Sequence, residues 1–310
     1  MSNNVLQAIE KHLVFNKKIY ISYSGGKDST ALLYGIFLLK KKFNLQLQAV
    51  HFNHNEPFYS QDMAKFCQEN CKNLSIPLII EPIPVHLPSK QDIWKHYRTQ
   101  FLLSLMKKDE IVLLGHHLQD NVETSLMHLL MRGSSIFGML DIVELEAGKT
   151  FIRPFLKLLL SDIYRFIYDN HLAYYEDPSN SKTDYKRNFL RHNILPQLQS
   201  LHSNYLHNVE MTIEYLHNKE VLLNKYLAMI WNEEIQSRKI CQEKLKKLPL
   251  TEQIIIIKYI INHITQYQLS KRQLFHIAEC INKLKNWSYL LGKEDIIKID
   301  KKIVFFQKRS

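Results

Sequence analysis

The run Lys18-Ile19-Tyr20-Ile21-Ser22, followed at once by Tyr23-Ser24-Gly25-Gly26-Lys27-Asp28-Ser29-Thr30, decides how the first half of this chain is read. Its branched apolar residues predict a buried strand, the glycine pair a tight turn, and the stretch from Asp28 a helix. Two adjacent glycines let the backbone come close to an anion and take dihedrals that other residues resist. The helix start behind them offers free N–H groups and the positive end of a dipole. Ser24 and Ser29 add hydroxyls on either side, and Lys27 adds a full positive charge. The combination is a phosphate cradle. It is not the common P-loop, which needs four residues between its glycines and a closing Lys-Ser/Thr pair. An aspartate follows the lysine here, and a carboxylate beside a phosphate is repulsive unless something neutralises it. Asp28 therefore implies either a bound Mg²⁺ or a brace for the loop backbone.

Outward from that loop, residues 18–24, 46–52, 77–81 and 110–115 read as short apolar strands, with helical stretches at 28–41, 60–74 and 90–107 between them. The alternation predicts an α/β domain with a parallel sheet, helices on both faces and right-handed crossovers. Ligands on such sheets bind beyond the carboxyl ends of the strands. From about residue 195 the pattern changes. Residues 202–231 are helical and rich in polar residues, 254–264 carry a helical apolar stripe, and 295–306 read as a hairpin. We therefore expect a catalytic domain at 1–196 and a mainly helical C-terminal domain at 197–310 that ends in a small β-hairpin.

A chain of 310 residues has enough material for two cores. The segment 1–16 lacks the apolar centre of a signal peptide, and no apolar run approaches the ~18 residues that span a bilayer. The four cysteines, Cys67, Cys71, Cys241 and Cys280, lack zinc-ligand spacing. Cys67 and Cys71 stand four apart on an expected helix, as two small buried thiols. A reduced, cytoplasmic setting is expected, with no membrane partner. The formal net charge of +11 implies a polyanionic partner, most simply nucleic acid, although a lysine-rich composition alone also raises it.

A second cluster follows the strand at 110–115, namely Gly115-His116-His117-Leu118-Gln119-Asp120-Asn121-Val122-Glu123-Thr124. On a helix His116, Asp120 and Glu123 share one face, while Val122, Leu126, Leu129 and Leu130 share another that suits packing on the sheet. Two carboxylates so close are costly unless they hold a cation, either Mg²⁺ or a substrate ammonium.

Ser24-Gly25-Gly26-Lys27-Asp28-Ser29 resembles the S-G-G-x-D-S pyrophosphate loop (PP-loop) of the ATP pyrophosphatase superfamily. The H-H-x-x-D-x-x-E-T pattern from His116 narrows the resemblance to the tRNA(Ile)-lysidine synthase family. Tyr175-Glu176-Asp177-Pro178-Ser179-Asn180, then Tyr185, Arg187-Asn188, Arg191 and Leu195-Pro196, are similar to a third block of that family. Arg132-Gly133-Ser134 and Arg153-Pro154 match in order, and the likeness covers roughly the first two-thirds of the chain. It implies ligation of free L-lysine to C2 of the wobble cytidine in the CAU anticodon of tRNA(Ile), through an adenylated base, with ATP and Mg²⁺. It also implies that Ser24, Gly25, Gly26, Lys27, Asp28 and Ser29, together with His54 and His116, hold the nucleotide, and that Asp28 and Asp120 take the metal. Asp28, Asp120, Glu123, Arg187, Arg191 and Arg98 are the implied catalytic set, with the carboxylates on amine or metal and the arginines on phosphate.

One departure stands out: the family's N-H-G-L-R becomes Asn53-His54-Asn55-Glu56-Pro57 here, so a glycine and an arginine are missing. Three other readings compete. A tRNA thiolation enzyme would carry C-x-x-C, which this chain lacks; a small-molecule amide ligase would need no basic C-terminal domain; an RNA-binding module without catalysis would leave Asp120, Glu123, Arg187 and Arg191 without work. Oligomeric state is not legible.

Overall fold

The computed structural model describes residues 4–53, 60–84, 91–132, 138–176, 186–265, 269–284, 286–291, 295–300 and 302–308. The chain forms two compact units, Met1–Ile213 and Glu214–Ser310. Their boundary falls inside a long helix, Tyr205–Ser237, rather than at residue 196.

The first unit is built on a six-stranded sheet: β1 Lys18–Ser22, β2 Gln46–Asn53, β3 Leu78–Pro82, β4 Ile111–Leu113, β5 Ile142–Glu144 and β6 Thr150–Ile152. Their order is β3-β2-β1-β4-β6-β5, parallel except for β5, which runs antiparallel to β6. Strand periodicity sorts the residues of β1 to two sides. Ile19 and Ile21 pack in one buried cluster with Leu47, Ala49, Leu113 and Ile152, whereas Tyr20 packs in another with Val50, Phe52, Val112 and Phe151. Helices α1 Asn4–Glu10, α2 Lys27–Phe43, α3 Ser60–Asn73 and α6 Leu160–Asp169 contribute to the first cluster; α4 Gln91–Leu105 contributes to the second. The sheet is thus covered on both faces, as expected.

β1 and β4 are shorter than the apolar runs that announced them, whereas β2 and β3 are not. β1 stops at Ser22, yet Tyr23 N–H still bonds Val50 O at 2.8 Å as the chain leaves the sheet. α2 ends where Asn44 takes a left-handed φ of 51°, with Lys40, Lys41 and Lys42 complementing the negative end of the dipole. α5 runs over Leu118–Met127 and passes into a π-helical turn at His128–Arg132. That widening breaks the phase of the expected stripe: Val122 is buried, but Leu129 and Leu130 are about two-thirds exposed.

The first unit closes with α7 Lys186–Phe189, a π turn at Leu190–Ile194, and α8 Leu195–Leu201; α9 Tyr205–Ser237 starts there and continues into the second unit. The second unit adds β7 Lys239–Cys241, α10 Gln242–Lys246, α11 Leu250–Ile264, α12 Lys271–Lys283, β8 Trp287–Leu291, β9 Asp295–Asp300 and β10 Ile303–Lys308. The expected hairpin is β9–β10, and β7 and β8 extend it to a four-stranded antiparallel sheet in the order β7-β10-β9-β8. Its core joins Ile297, Ile299, Val304 and Phe306 of the sheet to Ile257, Ile260, Leu274 and Ile277 of the helices. Among the described residues no helix is long and apolar enough to cross a membrane.

Candidate active site

Strand order reverses between β1 and β4, and the crevice beyond the carboxyl ends of such a pair is where α/β sheets bind ligands. Both sequence clusters lie there. Gly25 has a φ of +84°, and a Cβ on it would come within 3.0 Å of Cys67 Sγ, so only glycine fits this turn. Gly26 is the extended N-cap of α2 and supplies no side-chain cap. The first-turn N–H groups therefore remain available to an anion.

The loop is braced from within. Ser29 Oγ donates to Gly26 O (3.0 Å), Ser24 N donates to Ser29 Oγ (3.2 Å), and the two hydroxyls lie 3.0 Å apart. Gly25 O accepts from Thr30 Oγ1 at 3.2 Å and from Tyr175 N at 2.9 Å. Beneath it, Tyr23 Oη accepts from Asn70 Nδ2, and His51 Nδ1 lies 3.0 Å from Tyr23 O. Ser24 and Ser29 thus shape the cradle as much as they line it.

Asp28 stands at the mouth of the loop. Its Oδ2 is 3.7 Å from Lys27 Nζ, and its Oδ1 is 3.9 Å from His117 Nε2 but, among the described residues, has no hydrogen-bond partner although buried. Burial pushes its pKa up, against the pull of His117 and Lys27. An unsatisfied carboxylate oxygen beside a phosphate cradle fits Mg²⁺, which is held by one or two carboxylates plus substrate phosphates rather than by a protein cage. Among the described residues no group of three or more His, Cys, Asp or Glu side chains is placed to hold a metal.

His117, not His116, opens α5. It caps the helix: its N–H donates to Asp120 Oδ2 at 3.1 Å, and its Nε2 is 3.5 Å from the same carboxylate. His116 lies in the preceding turn, off the helical face it was expected to share with Asp120 and Glu123. Its Nδ1 is buried without a partner among the described residues, and burial pushes its pKa down to about 3, leaving the ring neutral. Gly115 drew no expectation from the sequence, but it matters: a Cβ there would sit 3.2 Å from the Asp28 backbone, so glycine lets the chain beyond β4 approach the cradle without displacing it. A lone glycine after a strand was the available signal.

The two carboxylates of α5 are neutralised by arginine. Arg187 Nε donates to Glu123 Oε2 (2.7 Å) and Nη2 to Asp120 Oδ1 (2.9 Å). Arg191 Nε donates to Glu123 Oε1 (2.7 Å), and its Nη2 reaches Glu123 Oε2 (2.9 Å) and Asp120 Oδ1 (3.2 Å). The Glu123 side chain is fully buried. Burial would push Asp120 up, but His117 and Arg187 outweigh it and hold its pKa at about 2. Burial likewise pulls Arg191 down, and Glu123 more than restores it. The result is a charge-balanced quartet, with Arg187 on α7 and Arg191 in the π turn after it. Both Asp120 oxygens are engaged, so Asp28 offers the free oxygen at this site. Arg98, on α4, is not part of the quartet, and burial lowers its pKa. Arg153 sends Nη1 to Leu140 O (2.8 Å), while its buried Nε has no partner among the described residues. His54, the changed stretch Asn55-Glu56-Pro57, Gly133-Ser134 and Asp177 through Tyr185 lie outside the described residues.

Residues 1–198 match the PP-loop domain family. The tRNA(Ile)-lysidine synthase of Buchnera aphidicola subsp. Acyrthosiphon pisum is 34% identical over 216 residues, which cover 68% of this chain and 49% of that protein. The synthase of Haemophilus influenzae is 29% identical over 284 residues, covering 87% of this chain and 65% of that protein. The chain spans about half the length of most of the curated relatives it matches. Among solved structures, the U34-tRNA thiolase NcsA from Methanococcus maripaludis superposes with a TM-score of 0.57 at 18% identity, covering 68% of this chain and 77% of that one, a likeness of fold alone. With a glycine turn and a free helix start at the sheet's switch point, and a family match over its whole first unit but for the last turns, the chain belongs to the PP-loop domain family.

Proposed function

We propose that this chain ligates free lysine to C2 of the wobble cytidine of a tRNA(Ile) with a CAU anticodon, using ATP and releasing AMP and pyrophosphate. The observation that carries the reading is the run of closely spaced polar side chains from cradle to quartet: Asp28, His117, Asp120, then Arg187 and Arg191. A phosphate cradle alone suits any ATP pyrophosphatase. A paired carboxylate–arginine set beside it suits one that must also manage an amine and a phosphate leaving group.

ATP binds with its phosphates on the first-turn N–H groups of α2 and on Lys27. Asp28 Oδ1 is the donor for Mg²⁺, which when bound offsets the charge on the phosphates. The cytidine C2 oxygen attacks the α-phosphate, the P–O bond to pyrophosphate breaks, and the lysine amine then displaces AMP from C2. Arg187 and Arg191 stabilise negative charge on the transferred phosphate. An ammonium group can bind Asp120 and Glu123 only as a guanidinium leaves them, and the nucleotide's phosphates are the anions that draw one away. His116 and Arg153, each with a buried nitrogen that has no partner among the described residues, are nucleotide contacts in this reading. The C-terminal unit binds the tRNA, and the reaction belongs in the cytoplasm.

A thiolation reading is weaker. Burial pushes the Cys71 thiol up to about 12 and Cys67 higher still, so neither is a ready thiolate, and Cys241 and Cys280 belong to the other unit. The deciding experiment supplies ATP, Mg²⁺, labelled lysine and an isoleucine tRNA transcript bearing CAU, with a methionine tRNA of the same anticodon beside it. Label in the isoleucine tRNA alone is expected. Pyrophosphate release without RNA-bound lysine would sink the lysine assignment and leave only the adenylating chemistry.

A further inference from the structure

Beside the cradle, α6 and the segment after it form an open cleft of about 310 Å³ lined by Tyr164, Ile167, Tyr168, His171, Leu172 and Tyr174. Its volume lies at the low end of small-ligand clefts, ~300–1,000 Å³. Tyr164, Ile167, Tyr168 and His171 recur at helical spacing, so one side of α6 and the turn ending it present three rings. Tyr168 is 78% exposed and Tyr164 44%, so two neighbouring rings of this helix face are open to a ligand. Tyr174 is held from the other side, its hydroxyl 3.5 Å from Glu176 Oε1. Lys27 Nζ lies 5.6 Å from the Tyr164 ring centroid, so the cradle's own cation stands over the edge of the aromatic surface.

We propose that this cleft is a stacking subsite for an unpaired base of an RNA substrate. The inference rests on the RNA-modifying reading of the neighbouring site and goes beyond it, since the reacting base belongs in the crevice between β1 and β4. The cleft is too open to enclose a free small molecule, but a base tethered to a bound polymer needs only a π surface. Stacking of bases on aromatic side chains is how single strands are held without sequence readout. An apolar protein partner fits less well, because the tyrosine rings carry hydroxyls and a histidine lies among them.

The test uses the full chain and the unmodified CAU-bearing isoleucine tRNA transcript. RNA affinity, ATP affinity and melting temperature are read for Tyr168→Ala, the Tyr164→Ala/Tyr168→Ala pair, and the matching Phe variants. The Ala pair is expected to bind RNA about 5- to 150-fold more weakly, the loss of one stacked base. The Phe variants keep affinity, and ATP binding and melting are unmoved. Unchanged RNA affinity in a folded Ala pair overturns the proposal, as does Phe failing where Ala fails. Loss of ATP affinity with RNA affinity intact gives the cleft to adenine and overturns it too. Wild-type protein that binds RNA through these tyrosines yet forms no lysidine would sink the reaction and leave the subsite standing; lysidine formation indifferent to the tyrosines would do the reverse.

Discussion

The two units handle charge in opposite ways. Met1–Ile213 keeps its decisive charges inside: Glu123 has no exposed surface and Asp120 little, and both meet Arg187 and Arg191 in short, multidentate contacts. Glu214–Ser310 carries its pairs nearer the surface: Lys283–Glu279 is loose and largely solvated, and Lys258–Glu220 and Lys244–Glu234 each have one partner about half exposed. The balance differs as well. The second unit carries 18 lysines and arginines against 10 acidic residues, +8, leaving 23 against 20, +3, for the larger first unit. Buried pairs fix geometry, and exposed excess charge creates a field that acts at a distance. Such a division suits a first unit that places atoms and, under the proposed function, a second that attracts a polyanion.

The sharpest break in that contrast is Glu123→Ala. It leaves two guanidiniums facing one carboxylate in a desolvated site, and breaking a buried pair from one side costs about 3–5 kcal/mol. Chemical denaturation should show a loss in that range, and lysine incorporation should fall below detection. A variant as stable as the parent would mean that solvent reaches the quartet and that the buried-against-exposed distinction is wrong.

The next effect is read in acid. Asp120 has a folded pKa of about 2, below the usual carboxylate value, so its pairing contributes stability above the unfolded pKa near 4 and loses it as pH falls toward 2. The contribution is on the order of 2 kcal/mol. Denaturation curves between about pH 4 and pH 2 should therefore be steeper for the parent than for Asp120→Asn. Parallel curves would remove Asp120 from the ionised network.

Gly115→Ala tests the close approach of β4 to the cradle with a smaller change. The added methyl meets backbone, not a yielding side chain, at 3.2 Å. The Asp28–Ser29 peptide has to give by a few tenths of an ångström, at a cost of about 1 kcal/mol, the low end for overpacking. Weaker ATP binding with little change in melting is expected. Unchanged ATP affinity would show that the first turn of α2 does not hold phosphate.

These cases also mark what was legible in the sequence. The cradle was, because strand, glycines and helix start are contiguous and each signal is local. The parallel sheet followed from the alternation of elements. The quartet was legible only by halves. Asp120 and Glu123 were read as needing a cation and Arg187 and Arg191 as a clamp on phosphate, but more than sixty residues separate the two pairs and nothing local joins them. β5 and β6, three residues each, are too short to leave a period, and the π turn at His128–Arg132 shifts a face that helical counting assumes fixed. His116 fell off the face it was expected to share because the capping box at His117 starts the helix after it, and neighbouring histidines give no sign of where that start falls.

The smallest effect on the fold tests the other half of the contrast. Lys246 ends α10 and Lys247 caps it, in the basic stretch of the second unit. Replacing both with Gln should leave melting within about 2 °C, since isolated surface charges contribute little to stability. RNA affinity should respond quite differently. If each lysine neutralises one phosphate, the slope of log affinity against log salt should flatten by roughly 0.7–0.9 for each phosphate released, and the weakening should be similar for isoleucine and methionine tRNA. A preference that changes between the two tRNAs would instead assign these lysines to reading the RNA. Their role would then be positional, like that of the arginines of the first unit, and the division between a unit that places and a unit that attracts would fail at this point.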